Sequence, residues 1–202
     1  MKIILSNKLL LALIILIVFT VIIFIYYKFN KNINNKNCEK PQQEFIEDIP
    51  PTEDLMREHG ILNRILLIYE EIVKRIDKNR DFNIDNLNKA ALIIRNFIED
   101  YHEKLEEKYI FSRFQKSGKM VDLVNSLIEQ HNAGRVITDQ IIELSKQDKI
   151  QDQNNRQKLS QAIKSFIVMY RVHESREDTE LFSEFRTLIT QKEFDELAEL
   201  FE

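Results

Sequence analysis

The sequence predicts an all-α fold, on three observations. The chain has 202 residues but only three glycines and three prolines, so it lacks the residues that β-hairpin turns require. Ile, Leu, Lys, Glu, Asn and Gln dominate its composition, which favours long uninterrupted helices. Apolar residues also recur at spacings of three and four along four successive stretches, the period of a helix with one buried face.

The first element is an apolar stretch from Leu9 to Tyr27, which predicts a transmembrane helix. Only Thr20 relieves the apolarity of these nineteen residues, and at about 1.5 Å per residue they just cross a hydrocarbon layer of ~30 Å. A cleaved signal peptide is the alternative, but its apolar region would be shorter and would end in a small-residue cleavage site. We therefore expect residues 1–30 to anchor a single-pass protein in a bacterial inner membrane.

Residues 31–51 are predicted to be a tether between this anchor and a soluble domain. They are rich in Asn, Lys, Gln and Glu and carry all three prolines, and they show no helical apolar period. Lysines lie on both sides of the apolar stretch, so the positive-inside rule does not decide which side the domain occupies. The extracytoplasmic side is our expectation.

Four amphipathic helices and a short terminal helix are predicted within the remaining domain, residues 52–202. About 150 residues are the usual size of one domain. Thr52 is the expected cap of the first helix, Gly118 the stop of the second, and Thr190 with Glu193 a capping box for the terminal helix. The predicted long helices run from Thr52 to Lys78, from Ile84 to the residue before Gly118, from Lys119 to Gln147 and from Gln153 to Ile189.

Charge and cysteine content limit the possible partners. The net charge is −4 with both signs interspersed, so the chain offers no basic stripe for a nucleic-acid backbone, and nucleic acid is not an expected partner. Cys38 is the only cysteine, which rules out an internal disulfide. The sequence leaves the protein partner and the oligomeric state open.

Each of the four histidines lies on the apolar face of a different predicted helix. A single histidine in such a place is more often a satisfied core residue than a metal ligand. A buried imidazole must form a hydrogen bond or bind a metal, however, and helix carbonyls are already engaged. Four imidazoles that converge on one core therefore indicate a metal site, and they are His59, His102, His131 and His173.

Carboxylates supply the second half of the predicted site. Glu106 follows His102, and Glu177 follows His173, at the i,i+4 spacing that places both side chains on one helix face. Acidic residues on a buried face are costly unless they bind cations. Asp178 is an alternative to Glu177. Three other glutamates are expected on solvated faces: Glu107, Glu174 and Glu180.

The motifs around these residues resemble the hemerythrin family, in its bacterial HHE cation-binding branch. They are REHGILNRIL around His59, FIEDYHEKLEEKYIF around His102, EQHNAGRVI around His131 and MYRVHESREDTELF around His173. The resemblance covers residues 52–189 and implies an up-down-up-down four-helix bundle. It also implies a centre of two non-haem iron ions, with the four histidines as terminal ligands and Glu106 and Glu177 as bridging carboxylates.

The chain departs from the oxygen-carrying members of that family at two points. They carry a second histidine one turn before the one on the third helix, where this chain has Leu127. The resemblance implies that Glu103 fills this place as a further ligand, as an additional carboxylate does in some members. Ser112 and Ser183 stand where the family commonly has proline, which concerns the bends of the helices and not the ligands.

The expected function follows from this ligand set. Imidazole and carboxylate ligands without thiolates suit iron, or less favourably manganese, and not structural zinc. The resemblance implies binding of, or reaction with, dioxygen or another small diatomic molecule for sensing or scavenging at a membrane. The alternatives are an enzyme acting on peroxide, nitric oxide or damaged iron–sulfur clusters, and an iron- or redox-responsive signalling module. A dry pocket is expected from Leu62, Leu66, Leu127, Phe166 and Met169.

Overall fold

The predicted all-α class is confirmed by a computed structural model, which describes Thr20, Ile23, Phe24, Lys28 and residues 50–201. The chain divides into two compact units, residues 1–47 and 48–202. The four described residues of the first unit are helical. Throughout residues 50–201 all regular structure is helical, without a strand.

The expectation of a single-pass membrane protein is corrected by the structure. A transmembrane helix needs about 20 consecutive apolar residues, and no helix in the described part of the chain combines that length with that apolarity. The α-helix Pro51–Asp77, for example, has the length but carries charged side chains throughout. The predicted span, residues 9–27, lies outside the described residues except for Thr20, Ile23 and Phe24.

Within residues 50–201, four long helices and two short ones form a bundle. Short connections join the successive long helices, which favours antiparallel neighbours. In our numbering α1 spans Pro51–Asp77, α2 residues 84–117, α3 Val121–Leu144, α4 Gln147–Ile150, α5 residues 153–185 and α6 Gln191–Phe201.

Local sequence signals account for several helix ends. Gly118 has a φ of +73° and ends α2 in the left-handed conformation, which glycine adopts without steric cost. The predicted capping box of α6 is confirmed, because the Thr190 amide donates to Glu193 Oε2 at 2.9 Å and the Glu193 amide to Thr190 Oγ1 at 3.3 Å. The predicted Thr52 cap is wrong. Helix α1 begins at Pro51 instead, a residue suited to the first helical position.

Three segments of the long helices are π-helical where the apolar period predicted an ordinary α-helix. They are Ile94–His102 and Glu106–Phe111 in α2 and Glu177–Leu181 in α5. A π-turn closes hydrogen bonds between residues five apart, and such turns are frequent at functional sites. Here the segments begin or end at three predicted ligands, His102, Glu106 and Glu177.

Within residues 50–201 the core consists of two apolar clusters, one on each side of the histidine layer. Along each long helix, the histidine lies between residues of the first cluster and residues of the second. The predicted pocket residues are divided between them. Leu62, Leu66 and Phe166 belong to the first cluster, Met169 packs against it, and Leu127 belongs to the second.

Candidate metal centre

Six of the side chains predicted as ligands meet in the middle of the bundle. They come from all four long helices, and none has more than 2 % of its surface exposed. The π-helical segments deliver the two glutamates, and the α-helical parts of α1, α3 and α5 deliver three of the histidines. The six are His59, His102, Glu106, His131, His173 and Glu177.

The histidines form two pairs. His59 Nε2 lies 3.1 Å from His102 Nε2, and His131 Nε2 lies 3.0 Å from His173 Nε2. In each pair the two nitrogens point to the same small volume. A Glu106 oxygen joins each pair, and the ligand atoms of each group lie within 4.8 Å of one another. Each side of the centre therefore offers two imidazole nitrogens as possible metal ligands.

Each glutamate contacts one histidine of each pair, through a different oxygen. A carboxylate in this position can serve both pairs at once. The four distances are 3.5 Å from Glu106 Oε1 to His102 Nε2, 3.5 Å from Glu106 Oε2 to His131 Nε2, 3.2 Å from Glu177 Oε1 to His173 Nε2 and 3.4 Å from Glu177 Oε2 to His59 Nε2.

The carboxylate oxygens of Glu106 and Glu177 test whether this donor set fits a metal. All four oxygens are buried, and none has a hydrogen-bond partner among the described residues. A buried carboxylate without partners is strongly unfavourable. A cation between the carboxylates and the imidazoles removes that cost, so the cluster fits a metal site.

Four side chains form an outer ring around the centre and fix the orientation of its imidazoles. Every Nδ1 donates to a side-chain oxygen on the preceding long helix, and α5 closes the ring on α1. Such a bond leaves the Nε2 lone pair directed inward, as a metal ligand requires. The bonds are His102 Nδ1 to Glu58 at 2.7 Å, His131 Nδ1 to Glu107 at 3.1 Å, His173 Nδ1 to Gln130 at 3.0 Å and His59 Nδ1 to Asp178 at 2.9 Å.

The electrostatics of the first histidine pair favour positive charge, whereas burial lowers the pKa of His131 in the other pair. Burial lowers the pKa of His59, but its contacts with Asp178 and Glu177 outweigh that effect and raise the pKa to about 9. Burial also opposes charge on His102, yet Glu106 raises its pKa well above the ordinary histidine value. Binding of a divalent cation at these imidazoles therefore releases protons.

Glu103 lies beside the centre and not among the converging Nε2 atoms. Its Oε1 accepts from the Tyr170 hydroxyl at 2.7 Å and its Oε2 from Arg135 Nη2 at 2.6 Å, so both oxygens are engaged. Its approach to His131 is on the Nδ1 side, at 3.9 Å. Burial raises the pKa of Glu103 to about 8. Coordination by Glu103 stays a prediction.

Two acidic residues have places that sequence periodicity did not anticipate. Glu107 accepts from His131 and, at 2.7 Å, from Arg135, where a solvated face was expected. The π-turn that begins at Glu106 holds more residues per turn than an α-helix, so it keeps Glu107 close to the bundle interior. Asp178 reaches the outer nitrogen of His59, whereas Glu177 faces the inner nitrogens.

The outer ring was missed for a specific reason. Each of its members is the immediate sequence neighbour of a residue of the centre, and consecutive residues on a helix do not share a face. A polar residue next to a ligand is the signal that could have revealed them. The four neighbour pairs are Glu58–His59, Glu106–Glu107, Gln130–His131 and Glu177–Asp178.

Comparisons with known proteins agree with this geometry. A profile of the hemerythrin HHE cation binding domain matches residues 51–185. Uncharacterised proteins of Mycobacterium bovis and of two strains of Mycobacterium tuberculosis are each 43% identical over 162 residues, which is 80% of this chain and 63% of each relative. The chain thus matches less than two thirds of the length of these relatives. No solved structure matches. With its profile match and its buried histidine and glutamate cluster, the chain belongs to the hemerythrin HHE cation-binding family, whose domains bind metal ions, typically iron.

Proposed function

We propose that this protein binds two non-haem iron ions and, through them, binds or reacts with dioxygen or another small diatomic molecule. The observation that carries the proposal is the pair of buried glutamates, each presenting its two unpartnered oxygens to different histidine pairs. Mixed imidazole and carboxylate donors without thiolate favour iron over zinc. The proposed ligands are His59, His102, Glu106, His131, His173 and Glu177.

The side chains of this protein would hold and shield the ions. Bound iron would supply a redox couple and an exchangeable coordination position. The Nδ1 hydrogen bonds keep each imidazole in one tautomer and orientation. Phe111 stacks on His131 with ring centroids 5.4 Å apart, and Phe182 stacks on His59 at 6.0 Å. These rings cover the centre on the side of the second apolar cluster and exclude water from it.

A small neutral molecule suits the surroundings of the centre. Leu62, Leu66 and Phe166 lie in the adjoining apolar cluster, each with 1 % or less of its surface exposed. Such side chains offer no hydrogen bond to a polar substrate. Glu103 remains a proposed seventh ligand, and because each of its oxygens accepts one hydrogen bond, from Tyr170 or Arg135, coordination would use a remaining lone pair.

Elemental analysis of the full chain tests the metal assignment. After anaerobic iron reconstitution and removal of unbound metal, we expect about two iron ions per chain. Glu177→Gln should lose most of this iron, because it removes a charged oxygen that reaches both pairs. Glu180→Gln makes the same chemical change in the same π-helical segment, on a side chain that is 53% exposed, and should keep the iron. Zinc as the sole metal in the wild type, or equal loss in both variants, would contradict the assignment.

Reaction with gases tests the second half of the proposal. The reduced, iron-loaded full chain is mixed with dioxygen, nitric oxide or peroxide in a stopped-flow instrument. We expect a visible absorption change with dioxygen or nitric oxide, and no recovery of the reduced spectrum under argon without added reductant, because carboxylate ligands favour the higher oxidation state of iron. Rapid consumption of peroxide alone would favour the enzyme alternative, and inertness toward all three would contradict the proposal.

A further inference from the structure

The bundle contains an internal repeat that makes its two histidine pairs comparable. Centre residues of α1 recur 72 positions later in α3, as His59 and His131 do, and those of α2 recur 71 positions later in α5, as His102 and His173 do. The outer ring follows the same rule. We call His59 with His102 the first half, and His131 with His173 the second half. Differences between related positions then show where the two halves diverge.

The outer charges of the second half are balanced. Its Nδ1 partners are Glu107 and the neutral Gln130. Glu107 is also paired with Arg135 at 2.7 Å and with Lys104 at 2.6 Å. Arg135 pairs in addition with Glu103 at 2.6 Å. Each of these two acidic side chains is thus paired with Arg or Lys.

The outer charges of the first half are not balanced. Its Nδ1 partners are two carboxylates, Glu58 and Asp178, and within the described residues neither forms an ion pair with Lys or Arg. Asn63 occupies the position related by the repeat to Arg135, so the balancing cation of the second half has a neutral counterpart here. Apart from the charge on its imidazoles, the first half therefore has more carboxylates than Lys and Arg side chains.

An open surface cleft lies on this acidic side. It has a volume of about 680 Å³ and is lined by Asp54, Glu58, Asn96, Phe97, Tyr101 and Phe201. The Glu58 side chain is 13% exposed, and it bonds the Nδ1 of His102, which is only 2% exposed. Carboxylate and amide oxygens thus extend from solvent to an imidazole of the centre.

The charges in this cleft are close together and lack a counterion from the described part of the chain. Asp54 and Glu58 are one turn apart on α1, and burial together with the Glu58 charge raises the pKa of Asp54. The nearby Arg57 is engaged with Glu53 at 2.7 Å. A cleft lined by one sign of charge concentrates ions of the opposite sign, and oxygen donors suit a hydrated divalent cation.

We propose that divalent cations reach the centre through this cleft, drawn by Asp54 and Glu58 to the first half. The inference rests on the proposed function, since it supplies the route by which the metal site is filled. Asp54 touches no residue of the centre in the described contacts. Its role is therefore to accelerate metal uptake and not to hold the bound ion. Its removal should alter the rate of metal uptake and not the amount bound.

Rapid mixing of the metal-free full chain with cobalt(II) tests this route through the visible absorption of the bound ion. At low ionic strength Asp54→Asn should slow uptake about two- to fivefold, by loss of one focusing charge. Asp85→Asn is the matched control, because Asp85 is also an aspartate in the first turn of a long helix but lines none of this cleft. The control should match the wild type, and about 0.5 M salt should largely remove the difference.

A double variant should enlarge the expected decrease in the uptake rate. Asp54→Asn combined with Glu58→Gln should be slower still. Glutamine keeps the hydrogen-bond acceptor, as Gln130 does for His173 in the second half. Equal uptake rates of wild type, Asp54→Asn and the double variant at low salt, with normal final cobalt binding, would overturn the route. A wild type that takes up no cobalt would overturn the proposed function instead.

Discussion

Tyr170 and Gly134 show how closely single residues are fitted beside the centre. Tyr170 is 1% exposed, and its hydroxyl donates to Glu103 at 2.7 Å. A Cβ atom added to Gly134 would stand 2.2 Å from that hydroxyl oxygen, far inside van der Waals contact. Glycine at this helical position is therefore required by the space that Tyr170 occupies, and not by its backbone angles.

This fit predicts opposite effects for alanine at two helical glycines. Gly134→Ala should destabilise the protein by roughly 1–3 kcal/mol, because Tyr170 must leave its place. Gly60→Ala, inside α1 with no atom within 4 Å of the added carbon apart from its own stretch of helix backbone, should stabilise it by up to about 1 kcal/mol through helix propensity. Guanidinium unfolding of the two variants measures both changes.

A double variant identifies the cause of the Gly134 effect. Gly134→Ala with Tyr170→Phe should recover part of the loss, since it removes the nearest atom but leaves ring carbons at 2.8 and 3.0 Å. If Gly134→Ala proved as stable as Gly60→Ala, the close packing of Tyr170 would be disproved.

At the scale of the elements, the starts of α2 and α5 were more predictable than the internal geometry of the long helices. The starts of α2 at Ile84 and α5 at residue 153 agree with the apolar period and caps. Helix α5 ends at residue 185, short of the predicted Ile189, because Thr187 and Leu188 donate to carbonyls only three residues back. The π-segments were missed because a change from four- to five-residue hydrogen bonding leaves the apolar pattern almost unaltered.

The same distinction applies to the candidate site. Spacing within one helix predicts that His102 and Glu106 share a face, and both side chains do lie at the centre. Contacts between helices follow no sequence period. Glu58 bonds His102 across 44 positions, so its role depends on how α1 and α2 pack. Patterns along the chain can therefore reveal the inner residues, whereas the outer ring requires three-dimensional coordinates.

For the whole molecule, the centre is the layer at which all four long helices meet. Each contributes at least one of the six proposed ligands, and four buried carboxylate oxygens there lack other partners among the described residues. Without a cation, only protonated imidazoles offset that buried charge, and the folded state bears the rest of its cost. The unfolded chain does not bear it, so the stability of the fold should depend on metal.

Metal removal should therefore lower the thermal midpoint of the full chain. Binding that favours the folded state by about 4 kcal/mol, at a free metal concentration near 1,000 times Kd, corresponds to a shift of roughly 10 °C for a chain of this size. Calorimetry with and without a chelator measures it. Glu177→Gln should show a much smaller chelator effect, and an unchanged midpoint in the wild type would contradict the argument.

The ring of Nδ1 hydrogen bonds also determines how the four helices find one register. Inner and outer residues are sequence neighbours on every long helix, so a slip by a single residue exchanges their roles. A histidine would then leave the centre, and a neighbouring helix would lose its hydrogen-bond acceptor at the same moment. Each error is thus penalised on two helices, and because the ring is closed, no helix can shift to a new register without disturbing both helices beside it. A misaligned bundle would lose several buried polar contacts at once and would therefore be less stable than the correct one, with or without a bound cation.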